Sequence, residues 1–237
     1  MATAVGKKFP NLNVDAMNEM GDTFKLNVLE EAIKNKKKVL LFWYPKDFTF
    51  VCPTELHAFQ AALNEFEKRN TVVIGASCDT PEVHFAWLST SKENGGIEGV
   101  TYPILADSNR NLSSVLGILD ITNEVYDDAT DTVQVEGDNV TYRATYLIDE
   151  EGTIFHEGIN HMPVGRNVNE FLRLIDAYAH KIAELSKEQD KLYIELIEKI
   201  GSTDEFLLDA VFEFCYNGGV QAGNHLEKQL TRLDSDE

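Results

Sequence analysis

A chain of 237 residues with 43% hydrophobic content has enough apolar material for one sizeable core, or for one domain and an appendage. Its 21 Lys and Arg against 40 Asp and Glu leave a formal net charge of −19, which repels phosphate backbones and anionic lipid and argues against nucleic-acid and membrane partners. No run approaches the ~18 uninterrupted apolar residues of a membrane span. The N-terminal "MATAVGKKFPNL" has no signal-peptide apolar core, so the expected location is the cytoplasm.

In chain order, Lys36, Lys37 and Lys38 read as a solvated turn ahead of a buried strand over 39–43, which Pro45 ends. Leu56, Phe59, Leu63 and Phe66 recur at helical spacing with Asn70 beyond them, which predicts a helix over 53–69. "TVVIGAS" (71–77) is a second apolar strand, followed by a helix from Pro81 that carries Val83, Ala86 and Trp87. "YPILAD" (102–107) reads as a short strand and "RNLSSVLGI" as a short helix. "DDATDTVQVEGDN", between Tyr126 and Tyr142, is an acidic surface insertion, a loop or a small hairpin, without the ligand spacing of an EF-hand. "RATYLIDEEGTIFHEGI" (143–159) reads as two strands around a turn, and the helix after it places Val168, Phe171, Leu172 and Ile175 on one face. Past about residue 180 the sequence is charged and helical, with a polar tail after Asn224 that is expected to be mobile. Strands alternating with helices predict an α/β sandwich with a mixed central sheet and helices on both faces over 1–180, plus a helical C-terminal extension over 181–237.

Cys52, Cys78 and Cys215 are widely spaced, with no C-x-x-C pair and no clustered histidines, which fits neither a disulfide framework nor a zinc site. The stretch "YPKDFTFVCPTEL" (44–56) makes Cys52 the one to question. Proline is favoured at a first helical position, so Pro53 predicts Cys52 as the N-cap and Glu55 as the third helical residue. Free amides and the positive end of the helix dipole would then favour a thiolate. Complete ionisation of an ordinary thiol at pH 7 gains only ~30-fold, so a reactive Cys52 also needs donors for its transition state. Thr49 and an arginine from elsewhere are the candidates, and the Glu55 carboxylate beside the sulfur makes a neutralising cation necessary. Arg143, opening a strand, and Arg166, in "PVGR" before a helix, are the two chosen. Against this stands the bland reading of a lone buried cysteine as an inert hydrophobe.

The residues Pro45, Thr49 and Cys52 stand in the pattern Pro-x-x-x-Thr-x-x-Cys, extended by Phe50, Val51, Pro53, Thr54, Glu55 and Leu56. With "HFAWLST", "GGIEGVTYPILAD", "RATYLIDEEG" and "MPVGRNVNEFLRLIDAY" following in order, the chain resembles the peroxiredoxins of the typical two-cysteine, alkyl hydroperoxide reductase C type over about residues 5–180. The resemblance implies a thioredoxin-like fold and a peroxidase needing no cofactor, neither metal nor haem. It makes Cys52 the peroxidatic cysteine, Thr49 the peroxide's hydrogen-bond partner, Pro45 a shield for the sulfenate and Arg143 its activator, with Glu55 and Arg166 as the supporting network. It further implies a peroxide substrate, recycling by thioredoxin or a similar dithiol reductase, and a homodimer or decameric ring of dimers. "GGIEG" (95–99) resembles the family's Gly-Gly-Leu-Gly segment linked to over-oxidation, without the accompanying Tyr-Phe pair.

The family's resolving cysteine, in a Val-Cys-Pro context after "FLRLIDAY", is missing. Three readings stay open: Cys215 in "FEFCYNGG" as a displaced resolving cysteine of a partner subunit, which is favoured; a one-cysteine enzyme resolved by an external thiol; and Cys78, the weakest. A reading of another class is a ring-forming chaperone or peroxide-sensing scaffold.

Overall fold

The computed structural model describes residues 3–121 and 123–200 of the chain. The chain divides into two compact units, Met1–Asp176 and Ala177–Glu237. The described elements are β1 (Val14–Met17), β2 (Thr23–Leu26), α1 (Val28–Asn35), β3 (Lys38–Trp43), α2 (Cys52–Ala61), α3 (Leu63–Glu67), β4 (Thr71–Ser77), α4 (Pro81–Leu88), β5 (Ile104–Ala106), α5 (Asn111–Leu116), β6 (Asn123–Asp127), β7 (Thr132–Glu136), β8 (Arg143–Ile148), β9 (Ile154–Asn160) and α6 (Val168–Ile200).

Seven strands form one sheet in the order β2-β1-β5-β4-β3-β8-β9. The pairs β3–β4 and β4–β5 are parallel and the others antiparallel, so the sheet is mixed. β3 shows why its sequence reads as an unbroken apolar run. Val39, Leu41 and Trp43 enter one core with Val28 and Ala32 of α1 and Leu112 of α5. Leu40, Phe42 and Tyr44 enter a second core with Leu56 and Phe59 of α2, Trp87 of α4 and Phe171 and Ile175 of α6. Alternate side chains of a strand point to opposite faces, and both faces here are covered by helices. Each fully buried large side chain contributes about 1.5–3 kcal/mol, so β3 ties the two cores together.

Two expectations need correction. The predicted helix over 53–69 is two helices, because the backbone leaves helical geometry at Ala62 (φ −95°, ψ 1°) while Phe66 still packs in the same core as Phe59. The cap moves by one residue: Val51 is the N-cap, Cys52 opens the helix and Pro53 follows, which keeps proline where its missing N–H is harmless. The N-terminal hairpin β1–β2 and α1 were not anticipated; α1 begins where Asn27 Oδ1 accepts from the Glu30 amide at 3.2 Å and ends on a left-handed Lys36 (φ 51°). The acidic insertion is a hairpin, β6–β7, whose register runs from Asn123↔Glu136 to Asp127↔Thr132. Cys215 lies outside the described residues.

Among the described residues no helix is long and apolar enough to cross a membrane, and no group of three His, Cys, Asp or Glu is placed to hold a metal ion.

Candidate active site

The loop leaving β3 returns as α2, whose first residue is Cys52. Because β8 runs antiparallel to β3 with Phe42 opposite Thr145, the first residue of β8, Arg143, lies beside the end of β3 where that loop departs. Sheet register therefore delivers an arginine to the helix start. Arg143 Nη1 donates to Cys52 Sγ at 3.5 Å and also to Glu55 Oε2, while its Nε donates to the Met162 carbonyl at 2.5 Å. Cys52 is 1% exposed.

Glu55 sits in the first turn of α2, one turn from the sulfur. Its Oε1 accepts from the backbone amide of Arg166 at 2.9 Å and from Arg166 Nε at 3.0 Å, and its Oε2 accepts from Arg166 Nη2 at 3.2 Å. Arg166 Nη1 donates in addition to the carbonyls of Trp43 and Ala144 and to Thr145 Oγ1, and its guanidinium lies over the rings of Phe42 and Phe59 at 5.1 and 5.9 Å. Burial pulls Arg166 below its ordinary value, and its bonds to Glu55 oppose that. An arginine stays charged under such a shift.

The charges decide what the site can do. Two guanidinium groups, one carboxylate and one thiolate balance; with a neutral thiol, one positive charge is left over in a site that is shut from water. An uncompensated buried charge is strongly unfavourable, so the two arginines suit an anionic partner beside Cys52. The uncapped start of α2 adds its dipole in the same sense.

Pro45 is buried at the exit of β3, and Thr49 is half-buried with Oγ1 donating to the Lys46 carbonyl at 3.1 Å. That bond uses the hydroxyl proton and leaves the oxygen able to accept one from a bound molecule. Arg166, ranked below Arg143 as a site residue on sequence grounds, is among the most heavily bonded side chains of the site. Cys78 is placed elsewhere: it follows β4, is buried, and its Sγ lies 3.8 Å from Ser113 Oγ. Burial pushes its thiol up to about 11. Asp47 and His84, which form a buried hydrogen-bonded pair beside the loop, escaped the sequence reading. The available signal was a histidine between the apolar Val83 and Phe85 of a helix, which by itself looks like ordinary core.

The profile of the AhpC/TSA family matches residues 5–157. The chain belongs to this family, the peroxiredoxins. This peroxiredoxin is 35% identical over 173 residues, 73% of its length, to a chloroplastic 2-Cys peroxiredoxin BAS1 of Spinacia oleracea, and spans 58% of that relative. To alkyl hydroperoxide reductase C of Helicobacter pylori it is 37% identical over 181 residues, covering 74% of this chain and 80% of the relative. Among solved structures, reduced Plasmodium vivax 2-Cys peroxiredoxin superposes with a TM-score of 0.65 at 36% identity, covering 76% of this chain and 83% of that one. The mixed sheet with helices on both faces, which the alternation of strands and helices predicted, is thus the thioredoxin-like fold of the peroxiredoxins that the resemblance implied.

Proposed function

We propose that this peroxiredoxin is a thiol-dependent peroxidase that reduces hydrogen peroxide and organic hydroperoxides. The observation that carries the reading is the shared Arg143 guanidinium, bonded at once to Cys52 Sγ and to Glu55. In the proposed reaction the Cys52 thiolate attacks the terminal oxygen of ROOH and the O–O bond breaks. Sulfur loses two electrons, the peroxide gains them, and RO⁻ leaves to take up a proton. Thr49 accepts the hydrogen bond of the peroxide O–H and Arg143 donates to the oxygen that gains charge. Pro45 screens the resulting sulfenate from water.

The second thiol is proposed to be Cys215 of a partner subunit in a homo-oligomer, giving a disulfide and water. The burial of Cys78 and its raised thiol favour Cys215 over Cys78. A thioredoxin-like dithiol reductase then returns both thiols by exchange. With Cys52 1% exposed, its sulfenate meets another thiol only when the first turn of α2 opens.

The test is peroxide consumption with a dithiol reductant. Cys52→Ser is expected to lose it while keeping the fold by circular dichroism; retention of most of the activity would sink the reading. Cys215→Ser is expected to abolish the cross-linked dimer formed after one equivalent of peroxide on a non-reducing gel, and a persisting dimer rejects Cys215 as the resolver.

A further inference from the structure

Between Pro45 and Cys52 the loop is anchored through one buried residue. Lys46, Phe48, Phe50 and Val51 are exposed and Thr49 is half-buried, whereas Asp47 is 4% exposed. Asp47 Oδ1 accepts from the Tyr44 hydroxyl at 2.8 Å, its Oδ2 lies 2.8 Å from His84 Nδ1, and its amide donates to Asp79 Oδ2 at 2.9 Å. Asp79 Oδ2 is held in turn by Ser77 Oγ at 2.8 Å. His84 is fully buried, and its Nε2 faces the Leu105 carbonyl at 3.2 Å. A carbonyl can only accept, so Nε2 is placed to donate to Leu105 while Nδ1 faces the Asp47 carboxylate. Tyr44 of this cluster is itself fixed, with its amide on the Ala76 carbonyl at 3.0 Å and its carbonyl accepting from Thr141 Oγ1 at 3.0 Å.

The rest of the loop has little else to hold it. Phe48 adopts a left-handed φ of 54°, which is unfavourable for a bulky side chain, and its ring lies 6.0 Å from that of Trp87. The Thr49 hydroxyl is bonded within the loop, to Lys46, so Thr49 goes where the loop goes.

We propose that His84 is a positioning residue for the peroxidatic reaction: through Asp47 it pins the loop 46–51 and so fixes Thr49 relative to Cys52. The proposal rests on the peroxidase reading above. No member of the Tyr44–Asp47–His84 cluster hydrogen-bonds Cys52, Arg143, Glu55 or Arg166 among the described residues, so its effect on the chemistry passes through the placing of the loop and not through a hydrogen bond to the site. Burial raises the Asp47 carboxyl above its ordinary range and His84 opposes that, as expected of a carboxylate kept in place by its partner.

The test uses the reduced full chain, with hydrogen peroxide as the probe, and reads three rates. In His84→Leu, single-turnover oxidation of Cys52 is expected to slow about 10- to 100-fold, the range for a misplaced catalytic contact. Alkylation of Cys52 by iodoacetamide, which needs the sulfur but not Thr49, holds or rises, and trypsin cuts faster after Lys46. His84→Asn, whose amide can donate to Asp47 in place of Nδ1, recovers most of the oxidation rate. Unchanged oxidation in His84→Leu overturns the proposal, and so does a parallel fall of oxidation and alkylation, the mark of general structural damage. Should His84→Leu fail to fold, Asp47→Ser takes its place: slowed oxidation with alkylation kept supports the pin, and unchanged oxidation or a parallel fall overturns it. If the wild-type chain does not react with peroxide, the peroxidase reading fails by itself; cleavage after Lys46 then decides the pin, and equal rates in wild type and variant overturn it.

Discussion

Arg143 and Arg166 both bind Glu55 but face different tasks. Arg143 reaches the sulfur, whereas Arg166 spends its donors on Glu55 and on the carbonyls of Trp43 and Ala144. Arg143→Met is therefore expected to slow single-turnover oxidation of Cys52 by about 10²- to 10³-fold, the usual loss for one transition-state donor, as read by stopped flow. Arg166→Met strips Glu55 of several bonds and is expected to cost about 3–5 kcal/mol of folding stability in urea unfolding, as for one partner removed from a buried ion pair. Loss of activity at unchanged stability in Arg166→Met would contradict that division. Cys78 supplies a prediction of its own. With its thiol pushed up to about 11, a fraction on the order of one in a thousand is ionised at pH 8. Native protein at that pH should alkylate at Cys52 well before Cys78, as peptide mapping would show, and only denaturant should equalise them.

At the scale of elements, the segment 95–99 straps α4 and α2 together. Trp87 Nε1 donates to the Gly95 carbonyl at 2.9 Å, and His57 Nε2 meets the Gly96 carbonyl at 3.2 Å. A Cβ at Gly96 would lie 1.9 Å from the Thr90 carbonyl oxygen, so backbone must move to admit it. Gly96→Ala is expected to destabilise by about 1–3 kcal/mol, measured by chemical denaturation.

On β9, His156 packs its ring 6.4 Å from that of Phe171 on α6, and burial holds its imidazole below the ordinary 6.5, with Glu170 and Glu157 opposing. The unfolded chain then binds this proton more tightly than the folded one. The contribution is fully present above the ordinary value and is lost as pH falls through the lower, folded value. His156→Gln should lose less stability than wild type between pH 7.5 and pH 5 in urea titrations.

The same elements show what the sequence carried. β3 and β4 were legible because both faces are buried and the runs are continuously apolar. The break at Ala62 was not, since Leu63 and Phe66 keep helical phase across it. β2 was missed because three of its four residues are exposed at the sheet edge.

For the molecule as a whole, the site draws on residues that only the fold brings together. Pro45, Thr49, Cys52 and Glu55 lie within one short stretch and were readable there; Arg143 and Arg166 were chosen because Glu55 demanded a cation, and sheet register delivers the first to it while the loop between β9 and α6 delivers the second. The Asp47–His84 pair spans 37 residues and joins a polar loop to the inside of an apolar helix. Neither partner signals the other, so it became visible only when α4 was seen behind the loop. With a net charge of −19 on the whole chain, the pairing of two arginines with the single Glu55 carboxylate beside Cys52 is a local arrangement set against the overall field.

The proposed chemistry depends on Cys52 being the thiol that reacts with peroxide. Its most direct test treats the reduced chain with less than one equivalent of hydrogen peroxide in the presence of a sulfenate trap, followed by peptide mass spectrometry. An adduct on Cys52, none on Cys78 and none anywhere in Cys52→Ser is the result predicted. Adducts shared with Cys78, or peroxide still consumed by Cys52→Ser, would contradict it.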